Sequence, residues 1–171
     1  MKVPRGDNPF TGETDLRGDA VPHSRREPQT GRILRTMQPK PTFYLIDGSA
    51  YIHRAYHAIR GLSNSKGLPT NAVFGFTRML LKLMQDRSPV YAAMLFDAKG
   101  PTFRHDMYGD YKANRPPMPE DLAMQIPFIK EVTKGFNLPV IEKTGHEADD
   151  LIGTLARMAE AAGYTVVMVT G

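Results

Sequence analysis

The chain has no cysteine among its 171 residues. That excludes disulfides, thiolate zinc sites and a thiol nucleophile, and it suits a reducing compartment, so the expected location is the cytoplasm. No apolar run approaches the roughly 20 residues that a membrane span needs. The N-terminus also lacks the apolar stretch of a secretory signal, so no membrane partner is expected. The phosphate-cradling patterns GxGxxG and GxxxxGK[ST] are missing, which removes support for a dinucleotide enzyme or an ATPase. No serine sits in a GxSxG elbow. A strong charge of one sign is lacking as well: 22 Lys and Arg stand against 18 Asp and Glu, a formal net charge of +4. That balance leans towards an anionic partner without establishing one, because the distribution of charge matters more than its sum.

What is present is an ordinary globular composition, 41% hydrophobic and 23% charged, with a polar, Pro-, Gly- and Arg-rich start. Residues 1–41 contain few large apolar residues and no period, and they read as a disordered tail. Arg25, Arg26, Arg32 and Arg35 would suit an electrostatic arm on nucleic acid, although a solvated tail without a role has the same composition. From Phe43 the texture changes. FYLI is a short apolar run that ends in Asp47-Gly48, and a helix is expected over 49–59. A loop follows over 61–71. Val73, Phe76, Leu80, Leu83 and Met84 recur at helical spacing. VYAAMLF, 90–96, reads as a buried strand before Asp97. A helix is expected over 120–134, with Pro127 kinking or restarting it. PVIEK begins a short strand at Pro139. Behind Asp149, a helix places Leu151, Ile152, Leu155, Met158, Ala159 and Ala162 on one face, with Gly163 capping its end. YTVVMVTG reads as a last buried strand. Apolar strands alternating with helices indicate an α/β fold with a parallel sheet covered on both faces.

Three carboxylates crowd into GHEADDLIG: Glu147, Asp149 and Asp150. An acidic doublet in the first turn of a helix is ordinary, because the helix dipole favours it by about 0.3–1 kcal/mol per charge. The other carboxylates give the doublet a second meaning. Asp47 ends one strand, Asp97 ends another, and sites in open parallel sheets lie beyond the carboxyl ends of the strands. Five carboxylates on one edge either take up protons or hold cations. Oxygen-only donors suit Mg²⁺ or Mn²⁺, and two such ions can clamp the attacking and leaving oxygens of a phosphodiester.

In FRHDMYGDYKANR, Arg104, Tyr108, Lys112 and Arg115 recur at spacings of four, four and three. On a helix they would share one basic, aromatic face with Tyr111 beside it, suited to phosphates and unpaired bases, though a solvated face looks the same. Gly109 makes that helix bendable. His53 and His57 stand four apart on the first helix. Without an HExxH arrangement they read as packed or solvated histidines rather than as ligands of a transition metal.

YLIDGSAYIHRAYHAI, FDAKGPTFRHDMYGDYKANRPPMPEDL and GHEADDLIGTLA occur in this order. Together they resemble the bacterial 5′ nuclease family, in particular the 5′→3′ exonuclease domain of bacterial DNA polymerase I. The resemblance runs over 42–171. It implies a PIN-like parallel-sheet core with a helical arch, acting on DNA 5′ ends or flaps with two divalent ions, Mg²⁺ or Mn²⁺. It implies Asp47, Asp97, Glu147, Asp149 and Asp150 as metal ligands and Arg54, Arg104 and Lys112 as catalytic. DNA contacts are then Arg54, Arg104, Tyr108, Tyr111, Lys112 and Arg115.

The family pattern continues past the strand matching YTVVMVTG with two further aspartates and a helix–turn–helix. On that comparison, 42–171 is expected to be the N-terminal part of the domain, and slow cleavage or none is expected of it. A polymerase attached in a longer gene product is compatible with the resemblance. Two rival readings are a DNA-binding fragment without catalysis and a compact PIN-like RNA nuclease. The arch segment disfavours the second. Oligomeric state is not legible.

Overall fold

The apolar runs FYLI and AAMLF send alternate side chains to opposite faces of a sheet, and each face has its own core. Residues 39–170 are described by the structure, a computed structural model. Strand β1 is Thr42–Asp47, β2 Tyr91–Leu95, β3 Val140–Ile141 and β4 Thr165–Val169, all parallel in the order β3-β2-β1-β4. Ile46, Met94 and Phe96 face one core, which helices α1 (Gly48–Ala58), α2 (Asn71–Arg87) and α5 (Ile126–Gly135) cover. Leu45, Ala93 and Leu95 face the other, which α6 (Ala148–Ala161) covers. Burial on both faces explains the unbroken apolar strands. The chain steps from β1 through β2 to β3, then returns past β1 to β4. The order therefore reverses beside β1, where the carboxyl end of the sheet opens a crevice.

The helix expected over 120–134 is two helices, α4 (Glu120–Ala123) and α5, with Pro127 in the first turn of α5. Proline is tolerated there because the first helical N–H groups have no partner within the helix. Gly163, at φ 90°, ends α6: its own N–H donates to the Glu160 carbonyl and Tyr164 N–H to that of Ala159, a Schellman closure.

Two expectations are corrected. Met158 and Ala162 do not join the buried face of α6; Met158 is 61% exposed. The last strand is not buried either. Among the described residues it pairs only with β1 at the sheet edge, and Thr165, Val167 and Met168 are exposed. Among the described residues no helix is long and apolar enough to cross a membrane. The tail expected over 1–41 lies almost entirely outside the described residues. Pro41 is described, and its carbonyl accepts from Thr165 N–H at 2.9 Å, so the β1–β4 pairing starts before Thr42.

Candidate active site

Three of the five acids, Asp47, Asp97 and Asp150, hold backbone N–H groups with their carboxylates. Asp47 ends β1 and caps α1, its Oδ1 accepting from Ala50 N–H at 2.9 Å. Asp97 follows β2, and its Oδ1 accepts from Ala148 N–H at 2.7 Å, the first residue of α6. Glu147 is the residue before α6, only 8% exposed, and its N–H donates to Asp150 Oδ2 at 3.0 Å. The N-termini of α1 and α6 thus point at one place, and their dipoles favour carboxylates there. Asp47, Asp97, Glu147 and Asp149 line one pocket of about 200 Å³, together with Ser49, His53, Lys112 and Arg115. A larger cavity of about 630 Å³ lies near the end of α1, between Tyr56, Arg60 and Pro119, away from the strand-end acids. Size alone does not make it the better candidate, because the carboxylates and the cations converge in the smaller one.

The electrostatics of the pocket split in two. Burial pushes the Asp47 carboxyl above the ordinary carboxylate range, and the charges of Asp149 and Asp97 push it further. Burial also pushes Glu147 up, but there it is outweighed. Lys112 Nζ donates to its Oε1 at 2.6 Å and the Tyr111 hydroxyl to its Oε2 at 3.0 Å, and the net position is below the ordinary range. Asp150 is likewise lowered: burial raises it, while the Arg104 guanidinium, hydrogen-bonded to it, and the Glu147 N–H lower it further.

Not every expected residue takes its expected place. Asp150 does not line the acid pocket; it ties Arg104 and the Glu147 backbone. Arg54 lies outside the acid pocket too, in a separate cavity with Lys82, Asp86 and Arg87 between α1 and α2. The single basic helical face expected over 104–115 does not exist. Helix α3 is Phe103–Met107 only, Tyr108 leaves it at φ −147°, and turns follow with Tyr111 N–H on Tyr108, Ala113 N–H on Asp110 and Arg115 N–H on Lys112. Gly109, Asp110 and Asn114 are turn formers, Lys112 itself is left-handed at φ 59°, and Pro116-Pro117 forbid a helical continuation. Arg104, Tyr111 and Lys112 therefore turn to the acids, whereas Tyr108 is 65% exposed.

Two residues were not singled out for the pocket. Ser49 Oγ accepts from Asp97 N–H at 2.9 Å and joins the ends of β1 and β2. His53 lines the acid pocket and His57 the larger cavity, so the pair is divided between two places. The i, i+4 spacing of Ser49 and His53 behind Asp47 was the available signal.

As a donor set the pocket is all carboxylate and hydroxyl oxygen with one imidazole, which fits hard divalent cations. Among the described residues no three Asp, Glu or His side chains converge as a ready ion cage.

Residues 42–171 match the family described as 5'-3' exonuclease, N-terminal resolvase-like domain. The DNA polymerase I of Caldicellulosiruptor bescii is 42% identical over 127 residues, 74% of this chain and 15% of that protein. A 5'-3' exonuclease of Aquifex aeolicus is 45% identical over 125 residues, 73% of this chain and 43% of that protein. The chain thus spans less than half the length of these relatives. A bacteriophage T5 5′-exonuclease with bound zinc ions superposes with a TM-score of 0.55 at 19% identity, over 75% of this chain and 48% of that one. A bacteriophage T5 flap endonuclease complexed with DNA and metal ions gives 0.53 at 17%, with the same coverage. At such identities the likeness shows the fold, a parallel α/β core of this kind. The matching sequence over 42–171 and the acids gathered at the carboxyl edge of that core agree: the chain belongs to the 5'-3' exonuclease family, as its N-terminal resolvase-like domain.

Proposed function

We propose that the acid pocket is the metal-dependent phosphodiester-hydrolysing site of a 5′→3′ nuclease acting on 5′ ends and flaps of DNA. The observation that carries this is the meeting of Asp47, Asp97, Glu147 and Asp149 from separate elements in one pocket with Lys112 and Arg115. In this reading the four carboxylates hold Mg²⁺ or Mn²⁺, two ions in the complete site, with Asp150 supporting them through the Glu147 backbone. Bound divalent cations supply the positive charge that polarises the phosphodiester and lowers the pKa of water. The chain's own residues orient the strand. Arg115 and Lys112 take phosphate oxygens, and the exposed Tyr108 offers a ring for an unpaired base. Arg54 and Arg104 contact the backbone outside the pocket. Residues 42–171 then form the N-terminal part of the nuclease domain, and a polymerase can be joined to it, as in the relatives named DNA polymerase I.

The test is single-turnover hydrolysis of labelled 5′-flap DNA by the full chain in excess, in Mg²⁺ or Mn²⁺, against linear duplex and single-stranded RNA. Slow, metal-dependent cleavage at the flap is expected, lost in Asp149→Asn. Lys112→Ala should weaken flap binding by about 1 kcal/mol and reduce its salt slope by about one. Cleavage that proceeds without divalent metal, or equal metal-dependent cleavage by Asp149→Asn, contradicts the reading.

A further inference from the structure

The segment 104–115 does two things that conflict. Lys112 and Tyr111 occupy both oxygens of Glu147, at 2.6 and 3.0 Å, and Arg104 occupies Asp150. In the proposed reading, the same glutamate must give an oxygen to a divalent cation at about 2.1 Å and the same lysine must reach a phosphate. A dication that close to Glu147 would sit beside the Lys112 ammonium, and like charges in a partly desolvated site repel strongly. The two occupants of Glu147 therefore compete through their charge.

The closed arrangement is cohesive but imperfect. Tyr111 packs edge-on against His105 at 5.4 Å, and Lys112 lies 5.1 Å from the Tyr111 ring centre. Against this, Arg104 Nε is buried with no acceptor among the described residues. Lys112 also holds a left-handed backbone at φ 59°, a conformation that costs a non-glycine residue energy. An unpaired buried N–H and an uncommon backbone angle are costs that the closed arrangement carries and that opening can relieve. Glycine at 109 and the run of single turns up to Arg115 supply the freedom to move.

We propose that Arg104–Arg115 is a cation latch on the acid pocket: Lys112 and Arg104 stand in for divalent cations, and the arrival of metal at Glu147 releases them towards DNA phosphate. The proposal rests on the functional reading above and adds a coupling to it. Metal frees the lysine for phosphate, phosphate drawing the lysine away frees the glutamate for metal, and by linkage each tightens the other to the same degree. Charge balance is kept at each stage, since the carboxylates always face a cation.

The test uses the full chain and Mn²⁺ alone, then Mn²⁺ with a short deoxyoligonucleotide. Hydrogen exchange of the 104–115 backbone amides is followed as Mn²⁺ is added, and Mn²⁺ affinity is measured by calorimetry in wild type, Lys112→Gln and Tyr111→Phe. The latch predicts that exchange of 104–115 accelerates as Mn²⁺ saturates the wild type. It also predicts at least about fivefold tighter Mn²⁺ binding in Lys112→Gln, with a smaller gain in Tyr111→Phe. The oligonucleotide should tighten Mn²⁺ binding more in the wild type than in Lys112→Gln. The exchange experiment on the wild type does not depend on either variant folding. Mn²⁺ binding with exchange of 104–115 unchanged, or with equal affinity in Lys112→Gln, overturns the latch and leaves the metal site standing. Absence of any Mn²⁺ binding overturns both.

Discussion

Two carboxylates on one edge of the sheet carry opposite electrostatic histories. Glu147 is paired, and its folded pKa lies below the ordinary value. It therefore contributes stability that is complete above the unfolded carboxylate pKa and is lost as pH falls through the lowered one. Asp47 is raised by burial and by its acidic neighbours, so the folded protein binds its proton more tightly than the unfolded chain. Its charge costs stability above the raised pKa, and the cost disappears as pH falls through it. Substitutions should separate the two. Asp47→Asn keeps a good N-cap and removes the repulsion, so it should raise the melting temperature of the metal-free chain near neutral pH. Glu147→Gln should lower the stability of the metal-free chain by about 1–2 kcal/mol, less than for a fully buried pair because the Lys112 side chain remains 26% exposed. The difference between Glu147→Gln and wild type should shrink as pH falls through the lowered Glu147 pKa, and that between Asp47→Asn and wild type should shrink as pH falls through the raised Asp47 pKa. Melting curves at several pH values read both, and a fall in melting temperature for Asp47→Asn at neutral pH would contradict this assignment.

Elements differ in how far the sequence alone exposed them. Helix α2 was legible because Phe76 and Leu80 recur at helical spacing and are fully buried. The break before α5 was legible because proline acts locally, on its own turn. The stretch 104–115 was not. Its helical spacing is real in number but is interrupted by turn formers, and its partners Glu147 and Asp150 lie 35 and 46 residues away. Non-local ion pairs leave no periodic trace. The same holds for Asp150, whose place in the acid cluster looked equal to that of Asp149 until the Glu147 N–H and Arg104 were seen to hold it. One close approach was equally invisible. A Cβ on Gly48 would lie 2.4 Å from Phe96 Cε1, so the start of α1 crosses the end of β2 only because residue 48 is glycine. Gly48→Ala should destabilise the chain by about 1–3 kcal/mol in chemical denaturation. It should also weaken metal binding, because the displaced Phe96 adjoins Asp97 and the displaced α1 carries the cap of Asp47. An unperturbed midpoint would mean that the Phe96 ring can turn aside freely.

At the scale of the whole molecule, the parallel topology explains why acids distant in sequence meet. Strand ends β1 and β2 deliver Asp47 and Asp97, and the chain's return after β3 places the N-terminus of α6 on the same edge, where the strand order reverses. The two helix N-termini that gather there stabilise the carboxylates without neutralising them. What neutralises them decides the function, and the central claim is that divalent cations do so in this pocket. The most direct measurement is calorimetric titration of the full chain with Mn²⁺, in wild type and in Asp47→Asn/Asp149→Asn, with thermal stability recorded at each ratio. Saturable binding by the wild type is expected. Stability should rise by about 2.7 kcal/mol when free Mn²⁺ is one hundred times its dissociation constant. In the double variant both effects should fall at least tenfold. Equal binding and equal stabilisation in the two proteins would contradict the central claim.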